Sequence, residues 1–134
     1  MGGIQSTKKV NYEDIQNILK SRSSDVLLLN SLDLEEQKCL IPNTLEAYRE
    51  EEKINSIIKN LYTKIIIYGK NTSDKNIEKK YLKLIEIGFI NVYIYPGGLF
   101  EWLCLQDIYG NEDFPTTSDE LDILKYKPES KFYF

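Results

Sequence analysis

Apolar residues in this chain come in short runs, and between the runs they recur every three or four positions. The runs predict strands covered on both faces, and the recurrences predict amphipathic helices. Residues 8–10 read as a short edge strand. Asn11 is a suitable N-cap, with Glu13 and Asp14 in the first turn and Tyr12, Ile15, Ile18 and Leu19 on one stripe. Residues 26–29 (VLLL) are a buried strand, and Cys39, Leu40 and Ile41 a second, stopped by Pro42 and Asn43. Residues 46–61 form a helix that turns Ile54, Ile57, Ile58 and Leu61 inward and leaves Glu50, Glu51 and Glu52 in solvent. The most strand-like stretch is 65–68 (IIIY). A polar loop, 69–73, then feeds a helix with Ile77, Tyr81, Leu84 and Ile85 on one side and Gly88 as its stop. Residues 92–95 are the last strand, and Pro96, Gly97 and Gly98 turn into a helix bearing Phe100, Trp102 and Leu103. Residues 114–117 read as an ordered loop, 118–125 as a short helix and 128–134 as loose chain, with Phe132 and Phe134 able to pack back. About five strands and five helices in this alternation predict a single three-layer α/β domain with a small, mostly parallel five-stranded sheet.

Composition narrows the chemistry. The 134 residues suit one domain, and 42% hydrophobic content can fill its core without cross-links. Two cysteines, Cys39 and Cys104, make no disulfide framework, which points to a cytoplasmic protein. There is no histidine, so Ser-His-Asp, Cys-His and His-metal sites are excluded, and no metal or cofactor is expected. A net charge of −4 argues against a nucleic-acid partner. No apolar run approaches the ~20 residues that span a bilayer, and no secretory signal is expected.

The second half of the chain resembles a rhodanese-like (rhodanese homology) domain. The family pattern of apolar strand, active-site loop opening a helix, Gly-Phe, Val-rich strand and Gly-Gly-x-x-x-Trp reads here as Ile65 to Tyr68, Gly69 onward, Gly88-Phe89, Val92 to Tyr95, and Gly97-Gly98 to Trp102. In the first half, Val26 to Leu29 match the preceding strand, and Ile41-Pro42 the turn where the family has His-Ile-Pro-Gly. The resemblance implies residues 1–9 as a leading segment, 10–110 as the domain and 111–134 as a C-terminal extension. It also places Gly69 where the family carries its persulfide-bearing cysteine. Leu40 stands for the family's histidine, and Asn30-Ser31-Leu32 for its Asp-x-Arg. A glycine supplies no thiolate, so neither sulfur transfer nor the phosphatase chemistry built on this fold is expected at that position.

Three functions follow as expectations. The first is a catalytically inactive binding, scaffolding or regulatory module. Its protein partner or small anion would meet the former active-site mouth, Gly69, Lys70, Asn71, Thr72, Ser73 and Lys75, beside Asn30 and Pro42. The loop precedes a helix N-terminus and would offer free backbone N–H groups. Residues 70–83 hold five lysines (70, 75, 79, 80 and 83) against Asp74 and Glu78. The second is a sulfurtransferase with Cys39 or Cys104 as a non-standard persulfide carrier. Cys104 is expected to be buried and inert, and Cys39 more exposed. The third is a small-anion sensor using the 69–75 loop. Separately, Met1 to Ser6 fit the M-G-x-x-x-[ST] pattern, so Gly2 is a candidate myristoyl acceptor, with Lys8 and Lys9 just beyond for the cytoplasmic face of a membrane. One acyl chain holds a membrane only marginally, and the 70–83 lysines are a candidate second signal. Glu101 shows no partner, and Trp102, Tyr93 and Tyr95 read as core and rim residues.

Overall fold

A computed structural model of the protein describes residues 7–21 and 25–132. Asn11 caps the first helix, α1 (Tyr12–Ser21): its Oδ1 accepts from the amides of Glu13 and Asp14 at 2.9 and 3.2 Å, and its own amide donates to Asp14 Oδ2 at 3.0 Å. This reciprocal arrangement satisfies N–H groups that the helix leaves unpaired. The strands are β1 (Lys8–Lys9), β2 (Val26–Asn30), β3 (Lys64–Tyr68) and β4 (Val92–Tyr95). They form one parallel four-stranded sheet in the order β1-β4-β3-β2.

Side chains alternate across this sheet, and each set has its own helices. Leu28, Ile66 and Tyr68 join Ile15 of α1 and Leu99, Trp102 and Leu103 of α4 (Gly98–Tyr109) in one core. Leu29, Ile65 and Ile67 join Ile54 of α2 (Glu50–Ile57) and Ile77, Tyr81 and Leu84 of α3 (Lys75–Ile87) in the other. Two buried faces explain why the central strands read as continuous apolar runs. The three layers are therefore as expected, but among the described residues the sheet has four strands.

The missing strand is the one expected at Cys39, Leu40 and Ile41, whose backbone is paired elsewhere. Leu40 donates to Thr117 Oγ1 at 3.0 Å and accepts from the Thr117 amide at 2.8 Å, while Ile41 donates to the Tyr68 hydroxyl at 3.1 Å. Only Thr44 bridges to Leu28. The helix expected over 46–61 is also shorter. It opens with a 3-10 turn, Ala47–Arg49, and stops at Ile57, where Asn60 folds a turn with Tyr62 and Thr63. Ile58 and Ile85, expected inward, are 46% and 40% exposed. In place of a helix at 118–125 there is a 3-10 turn, Ile123–Tyr126. The C-terminal extension is part of the first core: Phe114 and Tyr126 are buried in it, whereas Phe132 is exposed. Among the described residues no helix is long and apolar enough to cross a membrane.

Candidate functional site

In a parallel sheet the chain leaves every strand at the same end, and ligands collect there. β2 and β3 end side by side, with Asn30 paired to Tyr68 and the Ser31 amide donating to Tyr68 O at 2.9 Å. The loop from Gly69 to Asp74 follows β3. α4 grips it from behind, because the amides of Leu99 and Phe100 donate to the carbonyls of Gly69 and Lys70, each at 2.8 Å. Gly98 makes this approach possible. Its φ is +65°, and a Cβ there would stand 2.6 Å from Gly69 O.

Asp74 fills the loop from inside. One carboxylate oxygen, Oδ1, accepts from the Asn76 amide at 2.9 Å and so caps α3. The other, Oδ2, accepts from the Lys70 amide and the Ser31 hydroxyl, both at 3.1 Å. Asn71 orders the rest: its Oδ1 accepts from the Ser73 amide at 2.8 Å, its carbonyl accepts from the Asp74 amide at 3.3 Å, and its Nδ2 donates to Tyr126 O at 2.8 Å. The amides of Lys70, Ser73, Asp74 and Asn76 are thus already used within the loop, contrary to the free cradle expected from sequence. A Cβ on Gly69 would stand 2.3 Å from Asp74 Oδ2, 2.4 Å from Ser31 Oγ and 2.9 Å from Ile77 Cγ1. The space in which a residue-69 side chain would project is therefore taken by the carboxylate.

In front of the loop lies a cleft of about 560 Å³, closed on one side by residues 125–131. Lys70, Asn71, Ser73 and Lys75 line it; Gly69 and Thr72 do not, nor do Asn30 and Pro42. Burial would lower the Lys70 pKa, but the carboxylates of Glu36 and Asp33, at 3.4 and 3.6 Å, more than reverse this and raise it. Asn30 is buried and fully engaged: its Nδ2 donates to Gln37 Oε1 and Leu45 O, and its Oδ1 accepts from the Leu32 amide. Lys79, Lys80 and Lys83 line a separate groove between α2 and α3, where Lys80 Nζ pairs with Glu50 at 2.6 Å. The lysines at 70–83 therefore do not form one patch.

No family model matches the sequence, and no curated protein does. Solved structures do match the fold. A Bacillus halodurans protein superposes with a TM-score of 0.61 at 20% identity, over 79% of this chain and 76% of its own. The rhodanese-like domain of an Anabaena sp. protein gives 0.59 at 19% identity, over 94% and 88%. A thiosulfate sulfurtransferase from Pseudomonas aeruginosa gives 0.60 at 16% identity, over 77% of this chain but 20% of that longer one.

The fold is rhodanese-like.

Neither thiol of this rhodanese-like fold stands in the cleft. Cys39 is 4% exposed, its Sγ lies 3.4 Å from Ser118 O, and burial pushes its pKa up. Cys104 is half-buried, and burial followed by the charges of Asp107 and Glu101 pushes its thiol up as well. Their exposures are the reverse of the sequence expectation. Glu101 does have a partner, the Tyr95 hydroxyl, which donates to it at 2.5 Å. Trp102 is fully buried, with its Nε1 donating to Pro115 O at 2.8 Å. Among the described residues no group of His, Cys, Asp and Glu could hold a metal ion. Gly2 lies outside the described residues. Sequence reasoning missed Asp74 as the occupant of the loop and Tyr126 as its lid; Asp74, four residues from Lys70 and next to a helix start, was the readable signal of the two.

Proposed function

We propose that this chain is a rhodanese-fold binding module that performs no sulfur transfer at its β3–α3 loop. The observation that carries the reading is the Asp74 carboxylate in the space a residue-69 side chain would use. A persulfide carrier at position 69 needs both a thiol and room for the sulfur, and the glycine and the carboxylate deny both. The elevated thiol pKa values of Cys39 and Cys104 count against either as a substitute nucleophile. A scaffolding or regulatory role at the mouth remains, with a protein partner or small anion as ligand. The Gly2 motif supports a membrane-tethered form of the same module.

The test is a thiosulfate-to-cyanide sulfurtransferase assay on the intact protein, beside Gly69→Cys and Gly69→Cys/Asp74→Ser. Wild type is expected to be silent. Turnover by wild type would overturn the reading, and Cys39→Ser and Cys104→Ser would then locate the thiol. Activity in the double variant but not in Gly69→Cys would show that Asp74, besides the missing sulfur, blocks the site.

A further inference from the structure

Four amides at the loop and helix start are already paired, yet the cleft before them is basic. Five lysines (70, 75, 125, 127 and 131) line it, against Asp33, Asp74 and Glu129. Ion pairs remove two of the five, since Lys70 is held by Asp33 and Glu36, and Lys125 by Glu120 at 3.0 Å. Asp74 spends its carboxylate on the loop. Lys75, Lys127 and Lys131 form no ion pair among the described residues, and Glu129 is the one cleft carboxylate not engaged in this way.

These three ammonium groups reach the cleft from opposite walls. Lys75 is the first residue of α3. Lys127 and Lys131 lie on the chain after the 3-10 turn, two residues either side of Glu129. Residues 127, 129 and 131 all line the cleft. The segment is anchored by Tyr126, buried in the core, whose carbonyl holds Asn71 of the loop. The Ser73 hydroxyl lines the same cleft.

We propose that this cleft binds a phosphate-bearing ligand, gripped by Lys75 on one side and Lys127 and Lys131 on the other. Three separated ammonium groups and a hydroxyl match a group with two charges and several acceptor oxygens better than a single carboxylate. Two of the three lysines lie in the C-terminal segment, outside the stretch that resembles the rhodanese pattern, and the grip needs no free loop amide. The inference deepens the binding reading above, but a sulfur-transfer assay does not bear on it: a catalytically active chain could still bind phosphate here, and a silent one could fail to.

The test is a titration of the intact protein by two-dimensional amide NMR with sodium phosphate, and with sodium chloride at matched ionic strength. A phosphoserine peptide and its unphosphorylated form follow. Saturable shifts at residues 73–76 and 125–131 are expected in phosphate and not in chloride. Lys127→Ser/Lys131→Ser is expected to weaken phosphate by at least about tenfold, whereas Lys59→Ser, far from the cleft, leaves it unchanged. All three are exposed lysines, so the variants keep the fold. Equal shifts in chloride, or a double variant that binds like wild type, would overturn the proposal. Tighter binding of the phosphopeptide than of inorganic phosphate would assign the ligand to a phosphorylated partner, and equal binding to a small phosphate compound.

Discussion

A methyl group on Gly69 would meet Asp74 Oδ2 at 2.3 Å and Ser31 Oγ at 2.4 Å, so Gly69→Ala must displace the carboxylate from its hydrogen bonds. The expected cost is about 1–3 kcal/mol in urea denaturation. In an Asp74→Ala background, which itself loses a helix cap for roughly 1 kcal/mol, the same change is expected to cost about 1 kcal/mol less. Equal costs in the two backgrounds would mean that Asp74 does not occupy the site in solution. The glycine was legible in the sequence; its tenant was not, because an aspartate beside lysines reads first as a surface charge. The buried hydroxyls were still less legible. Burial raises the Tyr68 phenol, against hydrogen bonds with Thr44 and Ile41 that lower it; burial and the Glu101 carboxylate raise Tyr95; burial raises Cys39 from 9.0. Each group holds its proton more tightly folded than unfolded. The stability it contributes is therefore complete below the unfolded pKa, 9.0 for the thiol and 10.0 for the phenols, and is lost as pH rises toward the folded values. The urea midpoint is expected to hold steady to about pH 8.5 and to fall above pH 9–10. Tyr68→Phe should start lower by about 1 kcal/mol, having lost its bonds to Ile41 and Thr44, and should fall less steeply. An unchanged slope would remove Tyr68 from the account.

Elements were readable in proportion to their periodicity. α1, α3, β2 and β3 carry repeats of 3.6 or unbroken apolar runs, and they stand close to where those repeats put them. The Cys39 segment failed because three apolar residues in a row look the same whether their backbone joins a ladder or, as here, pairs with Thr117 and the Tyr68 hydroxyl. The C-terminal segment failed for the opposite reason: one buried aromatic, Tyr126, sits in a polar stretch with no period to read. That residue is nevertheless the hinge pin of the segment, since its ring is in the core and its carbonyl holds Asn71. Tyr126→Ala is expected to cost about 3 kcal/mol. It should also raise amide hydrogen exchange over residues 69–74 more than over the middle of α3, because the loop loses its outer support while the helix keeps its core face. A uniform rise across the protein would show only global destabilisation and would separate the segment from the loop.

At the scale of the whole molecule, the parallel sheet fixes where the two ends of interest lie. Lys8 enters the sheet opposite Tyr93, and its Nζ reaches the carbonyl of Ile90 ahead of β4, at the end where the strands begin. The mouth lies where they finish, across the length of β3, a distance of roughly 15 Å. Lys8 and the lysines of the cleft therefore sit toward opposite ends of the strands. For an acylated form we propose that the strand-start end, with Lys8 and Lys9, meets the bilayer and that the mouth stays open to a partner. Co-expression with an N-myristoyltransferase is expected to add one myristoyl chain, lost in Gly2→Ala. The acylated protein should bind vesicles weakly, as a single chain does, with modest help from anionic lipid through Lys8 and Lys9. In that arrangement Lys127→Ser/Lys131→Ser is expected to leave the binding unchanged. Loss of vesicle binding in that variant would place the cleft against the bilayer, and the outward-facing arrangement would then be wrong.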